Sequence, residues 1–150
     1  RNQVALAALA QATAEVLTER PSVHADVLIP VPLHWRRHWV RGFNQALELA
    51  RPLATRLSLT VDTALLHRRH ATPAQSRQSA EARRHNLARA FDVRGDVAGA
   101  RVILFDDVLT TGATLNAAAL ALCEAGASHV RVMTCARAWN PEQAGTAAGP

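Results

Sequence analysis

The stretch "RVILFDDVLTTGATL" at residues 101–115 constrains the fold more than any other. Its first five residues, 101–105, read as a buried strand. Two adjacent carboxylates, Asp106 and Asp107, follow at once, and an acid buried without a partner is costly. Three threonines around Gly112 come next, and small hydroxylic residues pack poorly as core. Residues 114–125 then read as a helix, with Gly126 as its stop. A strand that runs into a polar turn and then a helix predicts a sheet whose polar ends face water or a ligand.

The rest of the chain repeats this alternation. Residues 3–19 form an Ala/Leu-rich pattern that breaks at Pro21, predicting a helix. "DVLIPV" at 26–31 reads as a strand and 32–43 as a loop. Asn44 can cap a helix from Gln45 to Leu57 with Leu47, Ala50, Ala54 and Leu57 on one face. Pro52 inside it predicts a kink or a split. Residues 61–68 read as one strand, 69–80 as an exposed loop, 81–90 as weak helix, "FDV" as a short strand and "RGDVAGA" as a turn. Residues 129–137 are the last strand, and 140–150 read as a mobile tail. Asp62, Asp92 and Asp96 read as turn residues. Strands alternating with helices predict an α/β fold with a largely parallel sheet, and 150 residues suffice for one domain with a core. Each polar cluster follows a strand, the end at which such sheets bind ligands.

Composition excludes several classes. No apolar run is long enough to cross a membrane and no signal peptide is visible. Cys123 and Cys135 form no CxxC pattern; they read as small core residues, and a reducing cytoplasm fits them. The formal net charge is +5, and all 17 basic side chains are Arg. They cluster at 36–41 and 68–89, which fits an anionic ligand, nucleic acid or a solvated basic face.

The turn at 106–114 has its own chemistry. A helix N-terminus offers free N–H groups and the positive end of a dipole, a seat for phosphate. Gly112 admits close backbone approach, and Thr110, Thr111 and Thr114 add hydroxyls. Asp106 and Asp107 can accept hydrogen bonds from vicinal hydroxyls. Phosphate plus diol predicts a sugar phosphate. No Lys-Ser/Thr follows the glycine, so this is not a P-loop, and GxGxxG is missing.

"VILFDDVLTTGATL" resembles the phosphoribosyl-pyrophosphate (PRPP) signature of type I phosphoribosyltransferases. "IPVPLHWRRHWVRGFNQALELA" at 29–50 and "TPAQSRQSAEARRHNLARAF" at 72–91 resemble the ComF family, associated with bacterial competence and DNA uptake. The resemblance covers about 26–137 and implies a type I phosphoribosyltransferase-like fold with a small or missing hood, as one domain over 1–139. ComF proteins often carry an N-terminal Cys-rich zinc module; its absence and the start at Arg1 lead to the expectation that a preceding segment has been lost.

The resemblance implies roles residue by residue. Asp106 and Asp107 would hold the ribose hydroxyls; Thr110, Thr111, Gly112, Ala113 and Thr114 would hold the 5-phosphate. Val31, Pro32, Leu33 and His34 correspond to the pyrophosphate loop, Arg41 and Asn44 follow in the same motif, and 72–86, with Gln75, Arg83 and Arg84, resembles a mobile cover. Mg²⁺ is held mainly by PRPP, so no protein metal ligand is expected. His34 and His38 have metal-ligand spacing if helical but lack a third ligand. Arg68, Arg69, Arg83 and Arg84 stay open between pyrophosphate contact and solvated charge. In 6-oxopurine salvage enzymes an Asp stands at the position of Thr110, so the departure argues against hypoxanthine or guanine as acceptor.

The implied reaction is displacement of pyrophosphate at the anomeric carbon by an unknown acceptor, with Asp106, Asp107 and Arg41 as the catalytic set. The resemblance thus implies a transferase of nucleotide metabolism. The alternative is a non-catalytic PRPP sensor or adaptor in DNA uptake, with the uptake machinery or nucleic acid as partner. A homodimer is compatible with either.

Overall fold

The computed structural model describes residues 8, 11–13, 24–32, 44–69 and 90–138. The expectations for 33–43, 70–89 and 139–150 therefore lie outside the described residues. Of the 3–19 helix, Ala8 and Gln11–Thr13 are described, and they are helical.

Four parallel strands form the sheet. They are β1 (Val27–Pro30), β2 (Thr60–Val61), β5 (Arg101–Leu109) and β6 (His129–Arg137), in the order β2-β1-β5-β6. β3 (Leu66–Arg68) and β4 (Phe91–Val93) make a separate antiparallel pair. α1 (Gln45–Leu57) joins β1 to β2, and α2 (Ala113–Glu124) joins β5 to β6. Alternation along β5 divides the core. Val102 and Leu104 pack with Ile29 of β1, Leu115, Ala118 and Leu122 of α2, and Leu66 and Phe91 of the antiparallel pair. Ile103 and Phe105 face the other way, to Leu28, Met133 and Leu49, Ala50 and Leu53 of α1. Adjacent strand residues point to opposite faces, so each helix covers one face and β5 is buried on both. That is why its first half is a continuous apolar run.

Several elements differ from the sequence expectation. Residues 61–68 are two strands, in two sheets. Asp62 breaks the run, its Oδ1 accepting from the N–H groups of Ala64 (2.7 Å) and Leu65 (3.1 Å). This Asx turn matches the reading of Asp62 as a turn residue. Asp96 behaves likewise, accepting from Ala98 N–H at 2.9 Å, whereas Asp92 is a strand residue bound by Arg69. β5 runs four residues past Phe105, so the acidic pair lies on the strand. The buried face of α1 is Ala46, Leu49, Ala50, Leu53 and Ala54, rotated from the expected one; Leu47 and Leu57 are only half-buried. Cys123 is exposed and Cys135 half-buried, so neither is a fully buried core residue.

Pro52 does not split α1, which continues to Leu57. Pro52 is exposed, so the Glu48 carbonyl that lacks its helical donor faces water. Burial of Leu49, Ala50 and Leu53 at almost zero exposure outweighs one missing bond. Pro52→Ala should restore that bond and raise stability by on the order of 1–3 kcal/mol, read as a higher urea midpoint.

Candidate functional site

β1 and β5 are neighbours whose crossovers diverge. From β1 the chain goes through α1 to β2 on one side; from β5 it goes through α2 to β6 on the other. The C-terminal ends of β1 and β5 therefore flank a topological switch point, where open α/β sheets form a ligand crevice. Pairing of the two strands ends at Pro30 opposite Phe105, with one further bond from Val31 N–H to the Phe105 carbonyl at 2.8 Å. Beyond it β5 keeps its β6 partners, Asp106 with Thr134, Val108 with Ala136 and Leu109 with Arg137. Its opposite edge from Asp106 to Leu109 has no β1 residue beside it in the ladder. The acidic pair sits in that gap.

The two carboxyl groups are set tightly. Asp106 Oδ1 accepts from Asp107 N–H at 3.0 Å, and Asp107 Oδ1 from Val108 N–H at 2.9 Å. Burial pushes the Asp106 carboxyl up to about 6. The hydrogen bond and negative charge of the Asp107 carboxylate add to this, against the Asp107 N–H and the positive charge of Arg68. Arg68 arrives from β3, its guanidinium 5.4 Å from the centroid of the Phe91 ring. Cys135 lies on the neighbouring strand. Burial pushes its thiol up, the Thr13 side chain opposes this by hydrogen bonding, and the Asp107 charge adds to it.

Past Leu109 the chain turns at Thr110–Gly112. Gly112 has φ +76° and caps α2 from the left-handed region that favours glycine. α2 has no side-chain cap bonded through Gly112 and no acid in its first turn. The Ala113 N–H has only a 3.4 Å contact from Thr111 Oγ1. Thr110, Thr111 and Ala113 are exposed, and Thr114 is half-buried. The first turn of α2 therefore presents donors to solvent, with hydroxyls around them.

At the end of β1, Asn44 has a second task besides capping. Its Oδ1 accepts from Ala46 N–H at 3.1 Å, and its Nδ2 donates to the Val31 carbonyl at 3.3 Å. Val31 is buried, with its N–H on Phe105 and its carbonyl on Asn44. Both backbone groups of Val31 are therefore held, and Pro32 beside it is half-buried. Arg69 pairs with Asp92. Leu33, His34, Arg41, Gln75, Arg83 and Arg84 lie outside the described residues. The Arg68–Phe91–Asp106 arrangement had no signal in the sequence, because β3 and β4 are far apart along the chain.

Comparison with known proteins agrees with this geometry. Residues 44–144 match the phosphoribosyl transferase domain. The chain is 39% identical over 140 residues to the DNA utilization protein YhgH of Salmonella typhi, covering 91% of this chain and 62% of that protein. It is 38% identical over 116 residues to Competence protein F of Haemophilus influenzae, covering 75% of this chain and 51% of that one. The chain thus spans about half to three fifths of the length of these relatives. In fold it is similar to the glutamine PRPP amidotransferase of B. subtilis, with a TM-score of 0.58 and 22% identity over 86% of this chain and 26% of that one. It is also similar to a Staphylococcus aureus hypoxanthine phosphoribosyltransferase, with a TM-score of 0.53 and 13% identity over 88% and 62%.

Two outcomes are expected. Asn44→Ala removes a cap and the Val31 tie together, and should lower stability by about 1–2 kcal/mol in urea unfolding. Asp106, with its folded pKa raised from 3.8 to about 6, holds its proton in the folded state where the unfolded chain has lost it. Its contribution is present below the unfolded pKa and is lost as pH rises through about 6. Unfolding midpoints should therefore fall more steeply between pH 4 and 7 in the wild type than in Asp106→Asn; parallel curves would refute the assignment.

Proposed function

The chain belongs to the phosphoribosyl transferase domain family, on its ComF-like branch, and from that premise we propose that it binds Mg²⁺–PRPP and transfers the phosphoribosyl group to an acceptor with release of pyrophosphate. The supporting observation is the coincidence, at one switch point, of an acidic pair and an uncapped helix N-terminus behind a left-handed glycine. The first suits a ribose diol and the second a 5-phosphate.

In this reading the N–H groups of the first turn of α2 and the hydroxyls of Thr110, Thr111 and Thr114 hold the 5-phosphate. Asp106 and Asp107 accept from the ribose hydroxyls and fix the anomeric carbon between the ends of β1 and β5. The carboxylates also lie close to the positive charge that grows on the ring as the bond to pyrophosphate breaks. Arg41, with Gln75, Arg83 and Arg84, would take the departing pyrophosphate, beside the loop that begins at Pro32 and continues through Leu33 and His34. In this reading Mg²⁺ would arrive on PRPP, be held mainly by it with waters linking it to the protein, and would offset the charge of the leaving pyrophosphate. A cytoplasmic place of work suits this substrate.

The names of the relatives favour a second reading, a PRPP-responsive adaptor in DNA uptake without transfer. The two separate on one pair of measurements. Calorimetry with Mg²⁺–PRPP should give binding that Asp107→Asn and Thr114→Val each weaken by roughly 1–3 kcal/mol. Pyrophosphate release with a panel of bases and amines should be lost in Asp106→Asn/Asp107→Asn. Binding without release from any acceptor supports the adaptor, and no heat with PRPP overturns both.

A further inference from the structure

The opposite end of the sheet carries a second concavity. A cavity of about 490 Å³ opens where β1, β5 and β6 begin, lined among others by His24, Ala25, Arg101, Ile103, His129 and Arg131. It is roughly 27 Å from the Thr110 turn, the length of β5 at about 3.3 Å per residue. Strand register explains why these side chains converge. Arg101 lies opposite His129 and Ile103 opposite Arg131. Residues two apart share a face, so all four side chains project from the α1 side of the sheet. Ala25, half-buried, packs against the apolar cluster under α1 and is the apolar part of the floor, with Ile103 fully buried behind it.

The charges around this floor are lopsided. No carboxylate lines the cavity among the described residues. Asp26, beside it, is already taken by Arg101, whose backbone N–H, Nε and Nη2 donate to it at 2.8, 3.1 and 2.6 Å. That contact fixes the Arg101 guanidinium at the rim. Arg131 makes no ion pair with any described residue, and His24 and His129 add two imidazoles. A solvated basic face needs no recess; this corner has one. Its volume falls within the roughly 300–1,000 Å³ of small-ligand sites.

We infer that this corner binds a phosphorylated anion of nucleotide size, its phosphate oxygens on Arg131, His24 and His129 and its apolar part on Ala25. A free nucleotide and a phosphodiester of a DNA strand share that chemistry. The site is independent of the phosphoribosyl crevice, and its residues take no part in that chemistry.

The test titrates the full chain with AMP and, separately, with a short oligothymidylate in phosphate-free buffer. At least one probe should bind, and Arg131→Glu should weaken it about tenfold or more, because a charge-assisted contact becomes a repulsion. PRPP affinity should stay unchanged in the same variant. Sensitivity of AMP alone identifies a free nucleotide, and sensitivity of the oligonucleotide a DNA phosphodiester. Should Arg131→Glu lose its native circular dichroism, His129→Ala and Arg131→Gln serve instead, with a smaller loss expected. Absence of binding by both probes, or equal binding to wild type and variants, overturns the inference.

Discussion

The parallel pairing of β1 with β5 is the contact on which the remaining architecture depends. Val27 to Pro30 lie against Val102 to Phe105, and every larger feature refers to that ladder. It sets which residues of β5 face α1 and which face α2. It brings two connections that leave in opposite directions to the same end of the sheet. Its stopping point also decides the site: β1 stops pairing opposite Phe105, the end of the strand's continuous apolar run, and the carboxylates begin one residue later.

The crevice holds groups of opposite sign, each poorly satisfied alone. Asp106 is pressed towards its neutral form by burial and by its neighbour, while the start of α2 has neither an acid nor a cap to match its dipole. A ligand that offers hydroxyl donors to the first and a dianion to the second relieves both at once. The conflict of local preference with burial at Asp106 is what a functional site in an otherwise consistent fold is expected to show.

Much of this was legible in the sequence. The bounds of α1 and β6, the cap at Asn44 and the stop at Gly126 follow from local rules, since capping chemistry and apolar periodicity act within a few residues. The acidic pair and the Gly112 turn were legible as a site because such residues have no other reason to follow a buried strand. What escaped depends on tertiary context. Whether 61–68 is one strand or two depends on Asp62 bonding its own backbone while Leu66 finds Phe91. The rotation of the α1 face depends on which side chains meet Phe105. The positive charge that Arg68 brings to bear on Asp106 comes from β3, and no spacing encodes it. Cys123 reads as core by composition, yet its helix turns it to water.

The clasp between Asn44 and the Val31 carbonyl has an evolutionary consequence. It joins the two ends of the segment 32–43 at the rim of the sheet, and does so with a side chain that also starts α1. The entropy of closing a loop grows only with the logarithm of its length. Once the ends are tied, residues between them can be added, removed or replaced at little thermodynamic penalty to the strands beneath. A chain built this way can exchange that segment as a cassette while its sheet is inherited unchanged.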